Sequence, residues 1–552
     1  MPTLCARIER AASRDGALTF VGTGAPDRVP WARLHHDARG VAAALQARGI
    51  GPGDHVAFLA PTSRALVTAI QATWLTGATL VSLPLPMRLG SVDEFVAQTR
   101  ARVRRADTSL LVVDPELAAL LPTDPADPPT LLLSDLAAAG TRRGMAGAWA
   151  APKDDPSALA VLQFTSGSTA DPKGVMVPHA TCLANLDAAA GVAGLDPDTD
   201  VLVSWLPLYH DMGLVGMLTL PMITGADLVL AAPQDFLAAP ARWMQWVSDF
   251  RGTATAGPNF SWALAARALA RGPELDLSSL RLALNGAEPV DPTTVEAFCA
   301  AAARHHFDPG AVFCAFGMAE LTIAGTFPRP GAGMTVDAID RRVLETDGYA
   351  APSSADPAAE TVRRLARLGR PVPGLRVRVV DPQTGDERRE REVGEVQFRG
   401  SSVTPGYYHH PEATTAAFHD GWLRTGDLGY LVDGDLVVCG RQKDVIIVGG
   451  RNVYPEDVER AVAAVDGVRA GNVIAFGVDG RKGREALVVV AETKVDDPAP
   501  VRSAVAQRVR GAVGLPPEVV LVAPGSLPKT SSGKLQRDRC RQRYLAADLT
   551  LV

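Results

Sequence analysis

What most limits the folds open to this chain is the alternation of amphipathic helix with short apolar strand over roughly its first 150 residues. LHHDARGVAAALQARG (34–49) has helical spacing, HVAFLAP (55–61) reads as a strand, SRALVTAIQATWLTG (63–77) as a helix and ATLVSLPLP (78–86) as a strand. Strands joined through helices pair in parallel, and the helices cover the faces of the sheet. The pattern therefore predicts layered α/β structure with parallel strands. A second such block runs from about Leu159 to Thr326, with VLVSWLPL (201–208) and LRLALNGAE (280–288) as strand candidates.

Two segments interrupt the alternation. PTDPADPPT (122–130) is a loop, and residues 350–375 mix small residues and prolines with an Arg-rich run. The latter reads as an insertion or exposed connection rather than a core element. From 375 to 440 short strands take over: LRVRVVD, GEVQFRG, GYLVDGD and LVVCG. A last block of about 110 residues carries its own strands and helices and forms a complete small unit. The expected architecture is a large N-terminal domain over residues 1–442, made of layered α/β subdomains plus a small β-rich part. A mobile small α+β C-terminal domain over 443–552 follows.

Composition narrows the function. Lys and Arg total 55 against 61 Asp and Glu, a net charge of −6 that argues against a nucleic-acid binder. The uncharged stretch Ala65 to Met87 is long enough to raise a membrane span. Its four threonines, one glutamine, one glycine and two prolines read instead as a buried helix followed by a core strand. The six scattered cysteines form no CxxC pair and no Cys/His cluster, so neither a disulfide framework nor a zinc site is indicated. MPTLCARIERAASRDG has no apolar core for a secretory signal, and a cytoplasmic protein is expected. Only seven of the 55 basic residues are lysines, and four of them (Lys173, Lys443, Lys529, Lys534) fall in Gly-rich or polar motifs. A compact ammonium, rather than any positive charge, is expected to be needed there.

Six motifs carry the chemistry. QFTSGSTADPKGV (163–175) presents small and hydroxylated residues before a lysine, which leaves backbone N–H groups free to surround phosphate oxygens. It is not a P-loop, because Lys173 is followed by Gly174 and Val175 rather than by Ser or Thr. WLPLYHDMGL (205–214) places His210 beside Asp211 at a strand end. NGAEP (285–289) and FGMAE (316–320) supply glycines that admit a flat ligand, a Phe316 ring to stack on it, and Glu320 as a magnesium carboxylate. WLRTGDLG (422–429) holds Asp427 in a tight turn, able to bind a ribose diol. GRQKD (440–444) and PKTSSGKLQ (528–536) complete the series.

In this order the motifs resemble the adenylate-forming superfamily: acyl-CoA ligases, peptide-synthetase adenylation domains, luciferases and fatty acyl-AMP ligases. The likeness covers essentially the whole chain. WLPLYHDMGL, GPNFSWALAARAL (257–269), LNGAEPVDPTTVEAF (284–298) and GRNVYPEDVE (450–459) look most like the fatty acyl-AMP ligases, and residues 344–370 are a candidate for that subgroup's insertion. The Gly449-Gly450 pair also echoes acyl-CoA ligases.

The resemblance implies an acid-activating enzyme that uses ATP and Mg²⁺ and loads a fatty or related acyl group onto an acyl carrier protein. It assigns Thr165, Ser166, Gly167, Ser168, Thr169 and Lys173 to the β- and γ-phosphates. Gly286, Ala287 and Phe316 would frame the adenine, with Glu288 and Gly317 among the nucleotide-binding residues. Asp427 would take the ribose hydroxyls, Arg441 the ribose or α-phosphate side, and Glu320 the Mg²⁺. Lys534 would reach the substrate carboxylate and α-phosphate, Lys443 would be the pivot of the small domain, and His210 would line or gate the acyl site. Rival readings are an acyl-CoA ligase, a stand-alone amino-acid adenylation domain and a non-catalytic nucleotide-binding scaffold.

Overall fold

The structure is a computed structural model that describes residues 2–86, 92–164, 172–448, 451–479, 485–530 and 533–552. Two parallel sheets form the N-terminal part, as the alternation predicts. One has six strands in the order Thr130–Leu132, Leu110–Val113, His55–Leu59, Thr79–Ser82, Leu159–Phe164, Gly174–Pro178. The other has seven, in the order Val312–Cys314, Leu282–Asn285, Ala254–Gly257, Val201–Ser204, Asp227–Ala231, Ala17–Val21, Asp27–Pro30. In each sheet only the last pair is antiparallel.

Local chemistry explains the element ends. The helix Arg64–Thr76 starts where the Ser63 hydroxyl accepts the Leu66 N–H at 3.2 Å, and stops at Gly77, whose φ of +81° suits a residue without Cβ. This helix and the strand Thr79–Ser82 account for the uncharged stretch. Among the described residues no helix is long and apolar enough to cross a membrane.

The strand-rich part is an antiparallel sheet of Leu375–Val380, Gly394–Gly400, Trp422–Val432 and Asp435–Arg441. The C-terminal part pairs Val468–Asp479, Glu485–Thr493 and Glu518–Val522. The helices Pro455–Ala463 and Pro498–Val513 pack on one face of that sheet and Arg537–Leu545 on the other, giving two small cores.

Three sequence expectations need correction. The strand candidate VLVSWLPL ends at Ser204, and Trp205 to Leu208 run on as buried irregular chain. Asp427 is not in a tight turn: it lies within the long strand Trp422–Val432, at a bulge where Gly426 takes a φ of +71°. The extra residues at a bulge re-aim a side chain without ending the strand.

Residues 350–375 are not simply an exposed connection. Val362–Ala366 is a strand paired with Val336–Asp340, and Arg363 is 2% exposed. The reason is electrostatic: this region meets the C-terminal part through Arg363–Asp457, Glu345–Arg451 and Glu360–Arg508. An arginine can be buried when a carboxylate is buried with it.

Candidate active site

The His210–Asp211 pair sits at the start of a helical segment, Met212–Thr219, wound with π-type hydrogen bonding. Gly213 is required for that turn, since a Cβ there would meet the Pro207 carbonyl oxygen at 2.2 Å. His210 Nδ1 lies 2.6 Å from Asp211 Oδ1, which also accepts the Met212 N–H at 2.7 Å. A proton on Nδ1 satisfies so short a contact to a carboxylate, and in that tautomer Nε2 is an acceptor. Lys534 Nζ stands 3.5 Å from that Nε2.

Lys534 is held by its own loop, where the Thr530 N–H donates to the Lys534 carbonyl at 2.8 Å and the Gln536 N–H to the Pro528 carbonyl at 2.9 Å. Burial lowers its ammonium below the ordinary lysine value, against the opposing pull of Asp211 and Glu288. Burial alone would raise the Asp211 carboxyl, but His210 and Lys534 hold it low. Glu288 is pushed up by burial, while the Phe260 N–H it accepts at 2.6 Å and the charges of Lys534 and Lys529 restrain the rise.

The FGMAE motif turns sharply. Glu320 lies in the one-turn helix Ala319–Leu321 and is 8% exposed. The Tyr407 hydroxyl donates to its Oε1 at 2.9 Å, and burial raises the carboxyl. Lys173 Nζ lies over the Tyr407 ring, 4.9 Å from its centroid.

On the strand-rich side Asp427, raised by burial, is faced by Arg441 Nε at 3.1 Å. Between these groups the backbone comes close. A Cβ on Gly317 would meet the Ile323 carbonyl oxygen at 1.9 Å, and one on Gly286 the Ala315 carbonyl oxygen at 3.0 Å. Ala287 holds a φ of +66°, rare for a residue with a Cβ and commonest at functional sites. The Phe316 ring runs parallel to Phe398, 5.7 Å away.

One field joins the set. Glu320 feels Asp211 and Arg441, and Lys534 feels Asp211, Glu288 and Arg441. The structure therefore brings Lys534, His210, Glu288, Glu320, Asp427 and Arg441 into one electrostatic cluster, with Lys173 joined to Glu320 through Tyr407. Thr165, Ser166, Gly167, Ser168 and Thr169, with the Gly449-Gly450 pair, lie outside the described residues. Lys443 stands apart, in the short helical turn Gln442–Asp444, with Nζ 2.7 Å from Asp538 Oδ2.

With this arrangement the sequence matches the AMP-binding enzyme family over residues 8–408. The chain belongs to that family. A putative ligase of Mycobacterium tuberculosis is 41% identical to this AMP-binding enzyme over 534 residues, covering 94% of this chain and 96% of the relative. A long-chain-fatty-acid–AMP ligase of Mycobacterium marinum is 33% identical over 591 residues, covering 99% and 97%. A solved structure from work on the fatty acyl-adenylate ligases of E. coli and L. pneumophila superposes with a TM-score of 0.91 at 31% identity. That match covers 99% of this chain and 98% of the other. The chain is thus an adenylate-forming ligase, of the class that uses ATP to activate an acid.

The residues of this AMP-binding enzyme fit both groups the family implies. The close backbone at Gly286 and Gly317 and the positive φ of Ala287 suit the approach of a flat base, and the buried carboxylate of Asp427 suits ribose hydroxyls. Among the described residues no cluster of three or more His, Cys, Asp or Glu side chains could hold a metal ion by itself. A single carboxylate such as Glu320 is the donor set of a magnesium ion that takes its remaining ligands from phosphates and water.

Tyr407 was missed from sequence. It lies in TPGYYHHPEATTAAF (404–418), where it looks like one of two adjacent surface tyrosines. A glycine before an aromatic residue was the available signal, and it is too common to carry an assignment alone.

Proposed function

We propose that this enzyme condenses a fatty or related carboxylic acid with ATP to give acyl-AMP and pyrophosphate, then transfers the acyl group to the phosphopantetheine thiol of an acyl carrier protein. The observation that carries the reading is Lys534, brought from the C-terminal part to 3.5 Å from His210 and into the field of Asp211, Glu288 and Arg441. The similarity to a long-chain-fatty-acid–AMP ligase and to fatty acyl-adenylate ligases supports the choice of acid.

Two anions must meet for the first step, so neutralising charge and holding the line of attack are the main tasks of the protein. ATP supplies the electrophilic phosphorus, and a Mg²⁺ ion, for which Glu320 would be the carboxylate ligand, would offset negative charge on the phosphates. Lys534 neutralises the attacking carboxylate and the α-phosphate oxygens. Lys173, with the hydroxyl-rich loop before it, holds the β- and γ-phosphates. Glu320 holds the metal, and Asp427 with Arg441 fixes the ribose. Gly286, Ala287, Gly317 and Phe316 frame the adenine, while Glu288 lies in the field of the two lysines of the last motif. His210, oriented by Asp211, accepts a hydrogen bond from the Lys534 ammonium and fixes its direction at the mouth of the acyl site.

For the second step the thiol sulfur bonds to the acyl carbon and AMP leaves with its phosphate oxygen. Lys443 is the pivot that would remove Lys534 from the site for that step, with 1–442 and 443–552 as the moving bodies. The reaction belongs in the cytoplasm, where ATP and reduced thiols coexist.

Mass spectrometry after incubation with ATP, Mg²⁺ and a fatty-acid panel, with and without CoA, tests the reading. Acyl-AMP that CoA fails to consume supports it. Conversion to acyl-CoA assigns CoA as the acceptor instead, adenylation confined to amino acids assigns a peptide-synthetase role, and no adenylate from any acid overturns it.

A further inference from the structure

We propose that Tyr407 is a positioning residue that sets the spacing between the phosphate-binding lysine, Lys173, and the metal-binding carboxylate, Glu320. The inference rests on the roles given to those two residues above and adds a third that no motif announced.

The geometry is two-sided. One edge of Tyr407 is its hydroxyl, which donates to Glu320 Oε1 at 2.9 Å. It is a side-chain donor to that carboxylate, acting beside the backbone, and so bears on how the carboxylate is presented to a cation. The other part is the ring face, which carries Lys173 Nζ at 4.9 Å from its centroid, within the range of a cation–π contact. Lys173 and Glu320 are far apart in the chain, and this single side chain touches both.

The backbone under Tyr407 is stitched to both neighbours. Tyr407 pairs with Val175, the Met176 N–H donates to the Gly406 carbonyl at 3.1 Å, and the Tyr408 N–H donates to the Gly174 carbonyl at 2.8 Å. That strand, Gly174–Pro178, is the one entered directly from Lys173. Toward the other side, the Thr404 N–H donates to the Glu320 carbonyl at 2.8 Å, and the Thr404 hydroxyl donates to the Met176 carbonyl at 2.7 Å. The Tyr407 N–H is taken by the Thr414 hydroxyl at 3.0 Å. Gly406, with a φ of +142°, makes the bend that presents the tyrosine, and a Cβ there would meet the Thr414 side chain at 2.4 Å. Such a supported ring does not drift. A carboxylate held by a fixed donor keeps one orientation toward its metal, and loss of such a donor commonly costs 10–100-fold in metal affinity.

The two contacts separate by substitution. Tyr407→Phe removes the hydroxyl and keeps the ring face, whereas Tyr407→Leu removes both. The experiment is calorimetric binding of ATP to the full chain, in Mg²⁺ and in EDTA, with the thermal midpoint of each variant and the KM for ATP and kcat for acyl-AMP formation alongside. Wild type should bind ATP more tightly with Mg²⁺ than without. Y407F should keep the EDTA affinity and the thermal midpoint and lose roughly tenfold or more of the Mg²⁺-dependent gain. Y407L should lose affinity in EDTA as well. E320Q, which still accepts the phenol hydrogen bond, should abolish the Mg²⁺-dependent gain; if Y407F fails to fold, Y407L is read for the same gain, and a wild-type gain there overturns the proposal. A Y407F protein with the wild-type Mg²⁺ gain overturns this proposal alone. Wild-type protein that binds ATP with no Mg²⁺ dependence, or an E320Q protein that keeps it, overturns the assigned role of Glu320 and the proposal together.

Discussion

Arg363 Nε lies 2.8 Å from Asp457 Oδ2, with the two side chains 1% and 2% exposed. Arg363 also donates to the Cys439 carbonyl at 2.7 Å and lies 4.3 Å from the Tyr454 ring centroid. Removing one member strands the other charge away from water. Asp457→Ala should therefore cost about 3–5 kcal/mol of stability, read by urea denaturation. The double change Arg363→Met with Asp457→Leu should cost much less, because no charge is left buried. A small loss in Asp457→Ala would show that water reaches the guanidinium.

Lys534→Ala should lower acyl-AMP formation by about 10²–10³ while leaving the thermal midpoint in place, since it removes a charge contact that strengthens in the transition state. Pyrophosphate exchange measures it, and a wild-type rate would remove Lys534 from the mechanism.

The same lysine predicts a pH dependence. Burial lowers its ammonium from 10.5, so the charged form is lost as pH rises at a lower pH than for a free lysine. The alkaline fall in adenylation rate should begin below pH 10.5 in wild type. Lys534→Arg, which stays charged, should move that fall upward while running slower throughout, because a planar guanidinium does not replace a point ammonium. A fall at the same pH in both enzymes would assign it to another group.

Lys443 should separate the half-reactions. Its pair with Asp538 is exposed, and Lys443→Ala should change stability by no more than about 1 kcal/mol. Lys443→Pro, which locks φ, should keep acyl-AMP formation and lose transfer to the thiol. Any such pivot must first part Arg363 from Asp457 and Tyr454 from the core around Ile339 and Leu344, which places a barrier between the two poses. Product analysis with a carrier protein decides it, and survival of both steps would make Lys443 an ordinary surface lysine.

Gly317→Ala should disrupt the nucleotide slot. Its Cβ would fall 1.9 Å from the Ile323 carbonyl oxygen, a backbone atom that cannot swing aside. A cost of about 1–3 kcal/mol or more is expected, with a raised KM for ATP, since Phe316 and the turn to Glu320 must move. An unchanged midpoint and KM would show that the hairpin relaxes freely.

Much of this molecule could be read residue by residue. The helix Arg64–Thr76 announces itself through Ser63, its apolar spacing and Gly77, and the strand Thr79–Ser82 through its alternation with helices, because hydrogen bonding and burial over a few residues decide such elements. The lysines and carboxylates of the motifs were visible for a similar reason: their chemistry shows in residue type and order. Asp427 was located but its setting was not, since a bulge in a long strand and a turn share the same glycine signal.

What sequence alone determined was thus the local repertoire: alternating elements, capped ends, glycine-lined motifs and the scarce lysines in three of them. The tertiary structure decided who meets whom. Only folding places Lys534 against His210 across 324 positions, sets Tyr407 between Lys173 and Glu320, and buries Arg363, just after an exposed small-residue run, against Asp457. The physical reason is that a buried charge or hydrogen-bond donor must find its partner in space, and the chain order carries no record of that distance.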